Sequence, residues 1–386
     1  MYSHKGDAPM KFLIDRLAFR DALQRVEMAI DRKPTRPVLG GVLIEAHNDS
    51  VVLMASDLDI AVRYRVQQVQ VDQPGWAVIP GRELVDIIKD LESDTVTVAL
   101  TGGDQCQLLG GEDVCDLVTM ETGMDLGNTP EAFPAVPTLD GEPELTVRKE
   151  DFLLMVAATR FATSRVQDNR FATEGVLLEL RDDVVTMVGT DGRRLSCIHR
   201  PAVSHTADRQ RSVLLPKVLD QILRYGQVEE GDDIAIHFLN NLVGFRIGNL
   251  ESFGRVLDRE FPNYDNVIPK DGKHSVRAHR ESFSKKLRLA SHLTTDAAAV
   301  VRLEVTPDRM EVRSEHEGRG RASAALEVDY VGDGLSAAFN PAFLLDGLKA
   351  AHTDQIELHM EDGNRPAKFT LGEGFHYIVM PLSTTG

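Results

Sequence analysis

One three-part pattern runs through the chain three times, and it constrains the fold more than any single motif. Its markers are a Phe that opens an apolar helical stripe, a hydroxyl residue and acid that follow an apolar run, and a Pro that opens a second helix. They fall at Phe19, Asp57 and Pro80, at Phe152, Asp191 and Pro216, and at Phe283, Glu315 and Pro341. The gaps are 38 and 23 residues, then 39 and 25, then 32 and 26, so order and spacing persist while the intervening residues diverge. Such repetition makes each unit a structural module and assigns function to the assembly. It places domains at 10–136, 143–268 and 274–386, behind an N-terminal extension, residues 1–9, that reads as a short flexible tail.

Each module is long enough to hold its own core. No apolar run approaches the eighteen or so residues of a membrane span, and the first residues lack the apolar stretch of a secretory signal. Cys106, Cys115 and Cys197 are odd in number and show no paired spacing, which argues against disulfides or a thiolate metal site and for a reducing cytoplasm. No cofactor is expected.

Periodicity sets the secondary structure. Phe19, Ala22, Leu23, Val26 and Ala29 form a stripe on a 3.6-residue period, repeated by Phe152, Met155, Val156 and Thr159 and by Phe283, Leu287, Ala290 and Leu293, where Lys286 interrupts. Pro80, Pro216 and Pro341 suit the first turn of the second helices, whose buried faces begin at Leu84, Leu219 and Leu344. Alternation over 60–71, 95–100, 176–180 and 356–360 predicts half-buried antiparallel strands. The class is α+β: three similar domains, each with two helices on one face of a sheet. Acidic, Pro- and Gly-rich connectors at 121–144 and 258–273 carry Phe133-Pro134 and Phe261-Pro262. The pairs Ser56-Asp57, Thr190-Asp191 and Ser314-Glu315 read as turns closed by side chains that accept backbone N–H groups.

The net charge of −17 argues against nucleic acid when taken alone, but it is unevenly spread. Helical windows 16–32, 80–92, 148–165, 216–226, 279–291 and 340–352 hold 17 basic and 12 acidic residues, a net +5, which leaves −22 elsewhere. If the helices share one face, that face is cationic, through Arg16, Arg20, Arg25, Arg148, Lys149, Arg160, Arg165, Lys217, Arg224, Lys285, Lys286 and Arg288. Ordinary solvation of exposed helix faces stays open as the other reading. Catalytic motifs are absent: there is no phosphate loop, no HExxH and no GxSxG, and the twelve histidines lack ligand spacing. Ser282 to Lys285 matches SxxK only by coincidence within an amphipathic helix.

Thr190-Asp191-Gly192-Arg193-Arg194-Leu195 resembles the TDGHRL segment of the bacterial β sliding clamps, the beta subunits of DNA polymerase III, and 377–382 resembles their terminal VMPM stretch. Met10-Lys-Phe, the string 33–40, and 260–264 with 267–269 match further, so the resemblance spans essentially the whole chain. It implies a head-to-tail homodimeric ring of six clamp domains, helices inside around double-stranded DNA and sheets outside. The implied role is non-enzymatic: a processivity factor for the replicative polymerase. Implied partners are DNA of any sequence, a second copy, the polymerase catalytic subunit, the clamp loader and other proteins with clamp-binding peptides. No membrane is involved.

By matching position, the implied peptide cleft comprises Thr190, Gly192, Arg194, Leu195, Pro262, Val267, Ile378, Met380, Pro381 and Leu382, with Thr173 and Pro366. Arg193 stands where histidine is common and Thr173 where leucine is frequent, and the terminal basic residue of the family is missing before Leu382 to Gly386. Lys33, Gln167 and Phe171 match DNA-contacting positions, with Ala172 replacing a second aromatic. Ring closure would set Cys115 and Leu117 of one subunit against His292 and Leu293 of the other. Residues 1–9 precede the family's usual start, as a misassigned initiation site or an expression remnant would. The alternative to a clamp is an acidic three-domain hydrolase or scaffold unconnected with DNA.

Overall fold

Six α-helices lie in the described residues: α1 (Arg16–Glu27), α2 (Gly81–Asp90), α3 (Lys149–Thr159), α4 (Pro216–Val228), α5 (Arg280–Ser291) and α6 (Pro341–Ala350). The computed structural model describes residues 10–102, 104–123, 126, 132–166, 170–295 and 299–383. Each repeat thus supplies two helices, and the helix-opening Phe19, Phe152 and Phe283 are all fully buried. Asp15 caps α1 by accepting the N–H of Ala18 at 2.8 Å, and Asn340 caps α6 through Ala342 at 2.9 Å. Pro216 and Pro341 are the first residues of α4 and α6 as expected, whereas Pro80 is the N-cap of α2, one position before its first turn. The first stripe outruns its helix, since α1 ends at Glu27 while Ala29 is buried in the turn that follows.

The residues form two compact units, one running to Thr146 and including Asp220–Arg255, the other Val147–Leu219 with Val256–Gly386. In the first, an antiparallel five-stranded sheet runs Val69–Gln73, Lys11–Asp15, Thr95–Leu100, Gln105–Gly110, Asp113–Val118, with the last at an edge. A larger antiparallel sheet contains Ile60–Val66 paired to Leu250–Arg255, with Tyr64 opposite Leu250. Hydrogen bonding therefore passes from the first repeat into the central one without a break.

In the second unit, a nine-stranded sheet does the same between the central and third repeats. Arg194–Pro201 pairs antiparallel with Phe375–Val379, so that Leu195 faces Ile378 and Arg194 faces Val379. A four-stranded sheet of Gly320–Glu327, Arg309–His316, Val301–Thr306 and Leu335–Phe339 completes the third repeat. The modules are repeats of sequence, but their sheets are shared.

The expected alternation holds at Thr95–Leu100, whereas Val176–Leu180 is buried on both faces. Its second cover is the connector after Arg255. Phe261 and Tyr264 pack on Leu177, Val188, Leu195, Cys197 and Ile378, with Leu257 and Ile268 at the margin. In the first unit, Phe133 packs in the same manner with Leu43, Val52, Trp76 and Val78. Both Phe-Pro connectors are thus pieces of core, held by the transfer of a large aromatic side chain out of water.

Two of the three hydroxyl-acid pairs close turns. Asp57 Oδ1 accepts the N–H groups of Asp59 and Ile60 at 3.1 and 3.0 Å, and Ser56 Oγ accepts that of Leu58. The third differs: Ser314 and Glu315 sit inside a strand, with Glu315 opposite Arg321, because the hairpin extends past them. Ser314 Oγ instead donates to the Ala290 carbonyl at the end of α5, at 2.7 Å. Among the described residues no helix is long and apolar enough to cross a membrane.

Candidate peptide-binding cleft

The site begins with the turn Thr190 to Leu195, which joins two strands of the nine-stranded sheet. Thr190 Oγ1 accepts from Gly192 N–H at 3.1 Å and donates to the Arg194 carbonyl at 2.7 Å. Asp191 Oδ1 accepts the N–H groups of Arg193 and Arg194, both at 3.0 Å. The turn needs a left-handed residue, and Gly192 supplies φ +82° with open space around it. Its equivalent in the first repeat is Leu58, at φ +76°, a conformation that costs a side chain about 1 kcal/mol or more.

Arg194 ties this turn to its surroundings. Its guanidinium donates to Asp191 Oδ2 at 3.1 Å, to Asp346 Oδ2 of α6 at 2.6 Å and to the Phe161 carbonyl at 3.0 Å. It also lies over the rings of Phe343 and Phe161, at 4.6 and 5.5 Å from their centroids. A central-repeat turn and a third-repeat helix are thereby joined through one side chain that is 10% exposed.

Beside the turn opens a cavity of about 290 Å³, at the small end of ligand pockets. Leu195 and Ile378 are neighbours across the strand pair and form its apolar floor, each almost wholly buried. Pro262, Tyr264 and Val267 of the connector make one wall, and Met380 makes another. Met380 and Val267 are about two-fifths exposed, so the cavity has apolar surface at its mouth as well as its floor. Position is enforced by backbone and buried polar bonds: Met380 N–H donates to the Arg193 carbonyl at 2.9 Å, and Tyr264 hydroxyl donates to Glu179 Oε2 at 2.7 Å. Burial drives the Tyr264 and Tyr377 hydroxyls well above their ordinary range, so both stay protonated donors. Burial likewise pushes the Cys197 thiol beside the floor up to about 12, which leaves it no nucleophile at neutral pH. The arrangement has a shaped apolar hole and few convergent polar groups, suited to seating apolar side chains.

Of the residues expected in a cleft, nine line this cavity: Thr173, Thr190, Gly192, Arg194, Leu195, Pro262, Val267, Ile378 and Met380. Pro381, Leu382 and Pro366 do not. Leu382 continues past Met380 with its N–H on the Ala338 carbonyl, and Pro366 precedes the strand Ala367–Thr370. Asp191, Arg193 and Tyr264, outside the expected cleft set, also line the cavity, as does Phe171, whose position matches a DNA-contacting one. Adjacency to Thr190, Gly192 and Pro262 was the available signal for the first three.

The basic residues are placed less uniformly than the charge count implied. Arg165, Lys217, Arg224 and Lys33 are exposed, and Arg148 meets Glu150 only at 3.5 Å. Lys149, Arg160 and Lys286 are half-buried, Lys285 pairs with Glu281 at 2.7 Å, and Arg288 is exposed. Arg16 donates to the Ser93 carbonyl and Arg20 to Asp21. Arg25 departs from the expectation of an outward cation. It pairs with buried Glu229 and lies over Tyr64, while its carbonyl accepts the Tyr225 hydroxyl at 2.6 Å. Gln167 lies outside the described residues. Within the observed bounds the six helices hold 13 basic and 10 acidic residues, a net +3, because Arg32, Arg148, Arg160 and Arg165 fall outside the helix ends together with Asp31 and Glu92; α5 alone carries +3.

Cys115 and Leu117 are half-buried on the edge strand Asp113–Val118, next to exposed Val114 and Val118. His292 is the exposed C-cap of α5, and Leu293 follows, half-buried.

Comparison with known proteins gives three adjoining matches. Residues 10–123 match the family model described as DNA polymerase III beta subunit, N-terminal domain; residues 146–263 match its central domain and 265–383 its C-terminal domain. The chain is 27% identical over 374 residues to the beta sliding clamp of Chlamydia muridarum, covering 97% of this chain and 99% of that protein. Against the beta sliding clamp of Escherichia coli identity is 25%, covering 97% and 100%. The fold is similar to crystal structures of the DNA polymerase III subunit beta from Pseudomonas aeruginosa (TM-score 0.88, 24% identity, 97% and 100% covered) and of the sliding clamp from Bacillus subtilis (TM-score 0.89, 23%, 98% and 100%). These matches give no support to a hydrolase or scaffold unconnected with DNA.

Proposed function

The chain belongs to the DNA polymerase III beta subunit family, and from that premise we propose that the cavity beside Leu195 and Ile378 receives the clamp-binding peptides of its partners. The protein is a sliding clamp, a non-catalytic subunit that encircles duplex DNA as a homodimeric ring and gives the replicative polymerase processivity. Holding DNA by topology needs only diffuse, sequence-independent attraction to phosphates, which the exposed cations of α4 and α5 can supply. Tight base contacts would oppose sliding. An acidic remainder discourages DNA from lying elsewhere on the chain.

The observation that carries the cleft assignment is convergence. Segments from the turn 190–195, the connector and the C-terminal strand, distant in sequence, meet around one apolar hole beside a polar rim. Polymerase, clamp loader and other partners would compete for it. The domain borders are proposed at 136/143 and 268/274, the cytoplasm is the proposed compartment, and ring closure is proposed to use the edge strand with Cys115 and Leu117 against the region of His292 and Leu293.

Two experiments test this. A ring must be retained on closed circular DNA and lost when the circle is cut; equal retention on both would refute topological binding. Leu195→Ala with Met380→Ala should abolish polymerase stimulation in a protein that remains dimeric and DNA-retained. Unchanged stimulation would remove the cavity from the mechanism.

A further inference from the structure

Charge at the cavity separates one residue from the rest. Arg194 and Asp191 both line it, but Asp191 is committed to two backbone N–H groups and to Arg194, whose other nitrogens hold Asp346 and the Phe161 carbonyl. All three side chains are committed to one another and to backbone groups, with one carboxylate charge in excess. Arg193 also lines the cavity, is exposed, and among the described residues its side chain has neither ion pair nor hydrogen bond. Asp265, the acid next to Tyr264 on the connector wall, exerts its field on Arg209, Cys197 and Tyr264. The Arg193 backbone is fixed at both ends, its N–H on Asp191 and its carbonyl on Met380 N–H. A guanidinium with no direct partner among the described residues is therefore presented from a rigid point on the rim of an apolar hole, in a chain whose net charge is −17.

We propose that Arg193 is a specificity-determining residue, selecting partner peptides that carry a carboxylate beside the apolar side chains seated over Leu195 and Ile378. The inference rests on the cleft reading above and adds a charge requirement to it. A guanidinium offers a carboxylate two parallel N–H donors, a geometry that neither a neutral side chain nor the amide of Asn returns. Elsewhere an acidic peptide meets a like-charged protein, so discrimination concentrates at this residue. An exposed pair of this kind is worth about three- to fivefold in affinity and is screened by salt.

The test uses the full-length dimer and two labelled peptides of one sequence, with three apolar anchors and either Asp or Asn between them, read by fluorescence anisotropy. The Asp peptide should bind about three- to fivefold tighter at low salt, the advantage shrinking at high salt. Arg193→Ala should erase the preference and Arg193→Glu invert it, while the Asn peptide binds all three proteins about equally. Arg193→His, measured at pH 8, should behave like Arg193→Ala and guards against a turn disturbed by truncation. Equal binding of both peptides by the unaltered protein, both still lost in Leu195→Ala with Met380→Ala, would overturn the charge selection and leave the cleft standing. If neither peptide binds the unaltered protein, the cleft reading falls and this inference with it.

Discussion

Arg194 offers the sharpest test of how the central and third repeats are held together. Its pair with Asp346 spans 2.6 Å, with the Arg194 side chain 10% and the Asp346 side chain 45% exposed. Such a pair lies between fully exposed ones, worth about 0–1 kcal/mol, and buried ones, whose breakage costs about 3–5 kcal/mol. Asp346→Asn keeps the shape and leaves Arg194 bonded to Asp191 and the Phe161 carbonyl, so the expected loss is about 1 kcal/mol. Arg194→Ala removes both ion pairs and the contacts with Phe161 and Phe343, and strands the Phe161 carbonyl, for about 2–4 kcal/mol. The double variant should cost no more than Arg194→Ala alone, a coupling of about 1 kcal/mol. The single tryptophan, Trp76, lies in the other unit and does not report on this event. Hydrogen exchange by mass spectrometry does, read on peptides covering Phe375–Val379 and Arg194–Pro201, where each kcal/mol changes protection about fivefold. Additive losses in the double variant would show that Arg194 and Asp346 act independently and would refute the bridge.

Three further outcomes are expected. Gly189→Ala should destabilise by more than about 2 kcal/mol in a thermal melt, since its Cβ would stand 2.3 Å from the backbone carbonyl of Thr159 at the end of α3. Leu58→Gly should instead stabilise by up to about 1 kcal/mol, by relieving the left-handed backbone of an exposed residue in the first-repeat turn. Burial, with Lys368, His199 and His359 nearby, lowers the affinity of His376 for a proton, and Asp271 opposes this only in part. The unfolded chain then binds the proton more readily. That stability is fully present above about pH 6.5 and is lost as pH falls from there toward the depressed folded value. His352 and His237 act in the same direction. The melting temperature should therefore be lower at pH 5.5 than at pH 7.5, and His376→Gln should reduce that difference; an unchanged slope would remove His376 as a contributor.

Local signals in the chain were legible where a residue's role depends on its neighbours in sequence. The helix-opening Phe residues, the proline-opened helices α4 and α6 and the Asp57 and Asp191 turns follow from period and side-chain reach alone. The third hydroxyl-acid pair failed the same reading because strand pairing with Arg321 overrode its turn tendency. The Phe-Pro connectors illustrate the limit differently: composition marked them as breaks between modules, yet Phe133 and Phe261 are buried on sheet faces that alternation alone left open to solvent.

By itself the sequence determined three modules, the helices each contributes, an acidic chain with its cations drawn toward those helices, and through the strings around Leu195 and Met380 the family. Tertiary structure decided which strand edges meet, and so brought Leu195 beside Ile378, drew Arg25 inward onto Glu229, and left the Arg193 side chain unpaired among the described residues while its neighbour Arg194 was bound. Periodicity specifies which face of an element is apolar. It carries no record of which distant element will cover that face or neutralise a given charge, because pairing is chosen by the register and packing of the whole assembly.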